Sequence, residues 1–88
     1  MAVNVHFSSH IRSYTGGRAD VEANGSTLAE ILDDLETRHP GIRFRIVDEQ
    51  GRIRTHLNFF VGNELVRDLA HPVAPGDEVH ILGALSGG

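Results

Sequence analysis

Hydrophobic and polar residues alternate at several places along the chain, and four of these alternations read as half-buried strands of two-residue period. Val3, Val5 and Phe7 alternate with Asn4 and His6, and Ala19, Val21 and Ala23 alternate with charged residues. These predict two antiparallel strands joined by a long irregular loop from Ser8 to Gly17, with Thr15-Gly16-Gly17 as a turn. Further on, Leu57, Phe59 and Val61 alternate with Asn58 and Phe60, and Val79 and Ile81 with His80 and Leu82. Gly62-Asn63 turns the chain between the third strand and a short partner beginning at Leu65-Val66. Pro72 and Pro75-Gly76-Asp77 mark a loop before the last strand.

One stretch has the helical period instead. Leu28, Ile31, Leu32 and Leu35 stand at i, i+3, i+4 and i+7, which places them on one stripe. Asn24-Gly25 breaks the preceding strand, and Thr27 and Glu30 have the spacing of a reciprocal capping box. Pro40-Gly41 ends the helix near His39. Asp34 and Arg38 form an i, i+4 pair of the favourable orientation. The other helix carboxylates read as a solvated face rather than an acid–base site. Residues 42–56 stay open: Ile42, Phe44 and Ile46 alternate with Arg43 and Arg45, yet Ile42 and Ile46 also suit a helical turn. Asp48-Glu49-Gln50-Gly51 then reads as a turn, with Arg52, Arg54 and His56 on an exposed approach to the next strand.

The resulting order predicts an α+β domain of the ubiquitin-like β-grasp type, in which a mixed sheet of about five strands packs on one main helix. Residues 1–82 form the domain and residues 83–88 a flexible tail ending in Gly87-Gly88. Glycine lacks a Cβ and visits backbone conformations closed to other residues, so such an end fits a narrow enzyme channel. Extended, the tail reaches about 20 Å at roughly 3.3–3.6 Å per residue.

Composition narrows the chemistry. With no cysteine, the chain has no disulfide, thiolate metal ligand or cysteine nucleophile. All eight basic side chains are arginine, against twelve carboxylates, and the formal charge of −4 opposes a nucleic-acid footprint. The absence of lysine removes any ε-amine acceptor for an isopeptide bond. No run is long enough for a membrane span, and no basic segment followed by a hydrophobic signal core opens the chain, so a cytoplasmic location is expected.

The opening strand, Thr27-Leu28-Ala29-Glu30-Ile31-Leu32, Phe60-Val61-Gly62-Asn63, Pro75-Gly76-Asp77-Glu78-Val79 and the final Gly87-Gly88 together resemble the MoaD/ThiS family of ubiquitin-like sulfur carriers. Tyr14-Thr15-Gly16-Gly17 and the segment from Asp48 to Arg54 are most similar to the carriers associated with cysteine biosynthesis. The chain departs from many members at Gly83, where they carry proline, and at Ser86, where they carry alanine or threonine.

The resemblance implies a protein cosubstrate rather than an enzyme. A partner adenylyltransferase resembling the ubiquitin-activating enzymes would use ATP and magnesium to adenylate the Gly88 carboxylate. A sulfur donor such as a persulfide-bearing sulfurtransferase would then convert it to a thiocarboxylate, and a client biosynthetic enzyme would take the sulfur. The client is cysteine-synthase-like, or the large subunit of molybdopterin synthase. The resemblance makes Gly88 the attachment point, Gly87 the source of the tail's narrow profile, and Leu85 an anchor for its base, with an incidental exposed apolar residue the alternative at Leu85. This chain itself would bind no cofactor. Competing readings are molybdopterin or thiamine-thiazole synthesis, a ubiquitin-like protein modifier, and a noncatalytic binding module that uses only the sheet.

If Val79 and Ile81 face inward, parity sends His80 and Leu82 outward together with Phe60 and His6. The β-grasp topology makes their strands neighbours, so these four side chains are expected to form a partner-facing patch. Scattered surface residues are the alternative. Of the six histidines, His6 and His10 have i, i+4 spacing but fall in strand and loop, and His39, His56 and His71 lie near breaks. No structural metal is expected. Ser8, Ser9 and His10 lack an orienting acid, and Thr15-Gly16-Gly17 lacks the Walker spacing and its lysine.

Overall fold

The computed structural model describes residues 2–8 and 15–83. Five strands, β1 (Val3–Phe7), β2 (Asp20–Ala23), β3 (Leu57–Val61), β4 (Glu64–Val66) and β5 (Glu78–Gly83), form one sheet in the order β2-β1-β5-β3-β4. The β1–β5 pair is parallel, and β1–β2, β3–β5 and β3–β4 are antiparallel. Two helices, α1 (Leu28–Arg38) and α2 (Ile42–Ile46), complete the ubiquitin-like β-grasp. β5 extends through Gly83, one residue past the boundary read from the sequence.

The alternation along the strands is the alternation of burial. Val3, Val5 and Phe7 are buried while Asn4 is exposed and His6 half-buried, and Val79 and Ile81 are buried between Glu78, His80 and Leu82. Leu28, Ile31, Leu32 and Leu35, the helical stripe, are all buried in the same core. Phe59 lies on the inner face of β3 with no exposed surface.

Local chemistry explains where α1 starts. Thr27 has extended backbone and its Oγ1 accepts from Glu30 N at 3.2 Å, the first half of the expected capping box. The other half is shifted by one residue: Glu30 Oε1 accepts from the Ser26 amide and hydroxyl rather than from Thr27. The helix amides of Leu28 and Ala29 donate to the His71 and Leu69 carbonyls, so the loop before β5 also satisfies the helix end. Gly25 sits tightly against that first turn, where an added Cβ would lie 2.8 Å from Ile31 N. The Asp34–Arg38 pair forms at 2.7 Å.

The open segment resolves as a short helix, α2, followed by a turn. Its reason is a carboxylate from the preceding helix: Glu36 accepts from the amides of Gly41 and Arg43, each at 2.9 Å, and thereby caps α2. Gly41 makes the reversal at φ 98°, a left-handed conformation that suits glycine. At the other end, the Arg54 guanidinium donates twice to the Phe44 carbonyl. The expected turn at Asp48–Gly51 is present, with Asp48 Oδ1 accepting from Gln50 N and Arg52 N. Arg67 closes this region by donating to the carbonyls of Ile53, Arg54 and Leu57. Among the described residues, no helix is long and apolar enough to cross a membrane.

Candidate functional site: the outer sheet face and the base of the tail

The face of the sheet opposite the helices carries one continuous cross-strand row. Asp20 pairs with His6, His6 with His80, His80 with Phe60, and Phe60 with Leu65. The row thus spans all five strands, on the face opposite the buried residues of each strand. Leu82 lies one step further along β5 on the same face and is 40% exposed.

The four residues expected on this face are therefore brought together. The imidazoles of His6 and His80 stack with centroids 4.6 Å apart and planes at 19°. Phe60 is half-buried beside them. Leu65, which the sequence reading placed only as the start of a strand, adds the most exposed apolar side chain of the row at 53%. The two-residue turn at Gly62-Asn63 fixes the pairs Val61–Glu64 and Phe60–Leu65, so the signal for Leu65 was present in the hairpin length. Away from this face, Phe44 on α2 is 65% exposed and lies under the Arg54 guanidinium, 5.0 Å from the ring centroid.

Carboxylates frame the histidines. His6 Nδ1 contacts Asp20 Oδ1, and Glu78 Oε1 lies 3.8 Å from both His6 Nε2 and His80 Nε2. Parallel pairing of β1 with β5 sets His6 beside His80, as the parity of the strands predicts, and adds Glu78, which the sequence did not single out. Asp20 reaches His6 through the antiparallel β1–β2 register, and neither it nor Glu78 stands out from local spacing.

The base of the tail is anchored. Gly83 pairs with Leu57, its amide donates to Ser8 Oγ at 2.8 Å, and Ser8 N donates to the Ile81 carbonyl. The last strand thus leaves the sheet between β1 and β3 and beside the outer row. Leu85, Gly87 and Gly88 lie outside the described residues, as do His10 and Tyr14. The described part of the site combines apolar surface, imidazoles and carboxylates beside the end of β5.

Comparison with known proteins places this arrangement. Sulfur carrier protein CysO of Mycobacterium tuberculosis is 39% identical over 93 aligned positions that cover all of both chains. A chain in the crystal structure of the Amycolatopsis orientalis BexX/CysO complex is 42% identical and superposes with a TM-score of 0.91, over 99% of this chain and 100% of that one. Small archaeal modifier protein 1 of Haloferax volcanii is 31% identical over 71 positions, covering 81% of this chain and 79% of that protein. The ThiS family model matches residues 5–88, and the chain belongs to the ThiS family.

Proposed function

We propose that this chain is a sulfur carrier whose Gly88 carboxylate is adenylated and converted to a thiocarboxylate, and that the sulfur serves cysteine biosynthesis. The observation that carries this reading is the full-length similarity to a sulfur carrier protein, combined with the terminal Gly87-Gly88 pair. The chain acts as a cosubstrate, because the reacting group is its own carboxyl.

A carboxylate resists acyl transfer because its oxygen is a poor leaving group. Attack of that oxygen on the α-phosphorus of ATP, with magnesium held by the partner, forms an acyl adenylate and releases pyrophosphate. Sulfide then displaces AMP to give the thiocarboxylate. A persulfide donor forms an acyl disulfide instead, whose S–S bond a thiol cleaves to the same product. The client enzyme accepts the sulfur and the carrier returns as carboxylate by hydrolysis.

The structure supports a division of labour for these steps. The outer face, with Phe60, Leu82, His80 and His6, docks on the adenylating partner. Leu85 seats the base of the tail, and Gly87 lets Gly88 pass through a narrow channel. The Ser8–Gly83 hydrogen bond sets the point from which the tail leaves, so docking the face also aims the carboxylate. This is the entropic advantage of a pre-oriented reactant.

The test is an intact mass after incubation with a ubiquitin-activating-enzyme-like adenylyltransferase, ATP, magnesium and a sulfur donor, followed by thiol alkylation. The chain has no cysteine, so one alkylated sulfur mapped to Gly88 is expected, and deletion of Gly88 abolishes it. AMP on Gly88 with no sulfur, together with isopeptide conjugates to another protein's lysine, would instead establish a protein modifier. The similarity to an archaeal modifier protein favours that second reading. No adenylation by any of several competent partners would overturn both.

A further inference from the structure

We propose that His6, His80 and Glu78 form a binding site for a zinc-class divalent cation on the outer face of the sheet. Each residue offers one candidate ligand atom, and the three atoms lie within 4.8 Å of one another, with Glu78 Oε1 3.8 Å from Nε2 of each histidine. A tetrahedral ion with metal–ligand bonds of about 2.0–2.2 Å needs separations of about 3.4 Å, so closure takes a movement of about 1 Å. Splaying the stacked rings and turning the exposed Glu78 carboxylate supplies it.

The surroundings of His6 are the second observation. Its Nδ1 contacts Asp20 Oδ1, and the tautomer that donates from Nδ1 to that carboxylate carries its lone pair on Nε2. That Nε2 is shielded from solvent and has no hydrogen-bond partner among the described residues. A buried acceptor without a donor is unfavourable, and a cation satisfies it. The Asp20–His6 contact is also the carboxylate–histidine arrangement that orients metal-binding imidazoles.

Two imidazoles and one carboxylate, with no thiolate in the chain, suit zinc and its neighbours rather than calcium or magnesium. The ligands come from β1 and β5, so the ion bridges the parallel pair at the centre of the sheet. Three protein ligands leave a fourth position for water or a partner's ligand. The site does not depend on sulfur transfer.

Calorimetric titration of the chelator-treated full chain with zinc chloride tests this. One ion per chain with micromolar affinity is expected. His80→Ala and Glu78→Gln each weaken binding by about 10–100-fold, Asp20→Asn by about tenfold, and His56→Ala leaves it unchanged. Long-range nitrogen–proton spectra should show zinc shifting the Nε2 resonances of His6 and His80 but not those of His56. Glu78→Gln alters an exposed carboxylate, so the test survives if His80→Ala disturbs the fold. Absence of saturation below millimolar zinc, or unchanged affinity in both His80→Ala and Glu78→Gln, overturns the site.

Discussion

Phe59 and Phe60 are adjacent on β3 yet serve opposite faces, and truncating each to alanine separates the two roles of the strand. Phe59 is fully buried against the helices. Its removal deletes a large apolar side chain and leaves a cavity, a change worth about 3–5 kcal/mol. A domain of this size holds roughly 4–13 kcal/mol in total, at about 0.05–0.15 kcal/mol per residue. Phe59→Ala therefore removes about a quarter or more of the stability and lowers Tm by about 12–40 °C, at about 4–8 °C per kcal/mol. Phe60 is half-buried on the outer row, and its truncation costs about 1 kcal/mol, a Tm change below about 10 °C. Urea and thermal unfolding followed by far-UV circular dichroism measures both, since the chain has no tryptophan. Activation assayed where both variants remain folded should fall in Phe60→Ala. Equal destabilisation would refute the assignment of faces, and undiminished activation of Phe60→Ala would refute docking through the outer row.

Gly25→Ala should lower stability by about 1–3 kcal/mol, because its Cβ would meet the backbone of Glu30 and Ile31 within 3 Å; an unchanged urea midpoint would contradict this. The pKa values of Glu30, Glu36 and Asp48 are held below the ordinary carboxylate range chiefly by backbone donors, from Ser26, Gly41 and Arg52 respectively. A depressed folded-state pKa contributes stability that is present above the unfolded pKa and lost as pH falls through the folded value, so urea midpoints should drop on acidification below about pH 5. Glu36→Gln should make that acid limb shallower, and an identical limb would contradict the assignment. Arg67→Ala removes the donor shared by the carbonyls of Ile53, Arg54 and Leu57, and amide hydrogen exchange should quicken across residues 53–57 while the β1–β5 amides stay protected.

The strands and α1 were legible because each has one buried face, which writes a period into the sequence. Val79 and Ile81 inward with His80 and Leu82 outward is parity alone. The outer row followed once the β-grasp order placed β1, β5 and β3 side by side. What stayed closed depended on partners distant in the chain. Ile42–Ile46 had two compatible periods, and the deciding interaction is the Glu36 carboxylate reaching the amides of Gly41 and Arg43 from another helix. The second half of the cap at α1 moved to Ser26 because Glu30 reaches both its amide and its hydroxyl, two donors on one residue. The grouping of His6 with Glu78 and His80 requires the parallel register between residues some seventy positions apart, which local spacing does not contain.

The position of β5 sets the order in which a nascent chain can mature. Until β5 is present, the sheet is two unconnected halves, β2-β1 and β3-β4, because β5 is the strand that joins them. Its pairing with β1 spans nearly the whole polypeptide, and such non-local closure is entropically late. A ribosome-bound chain whose β5 is still in the exit tunnel thus cannot assemble the outer row. Emergence of β5 completes the sheet. Recognition through that row is thereby coupled to translation: an activating enzyme that reads the sheet meets only chains whose last strand is already in place.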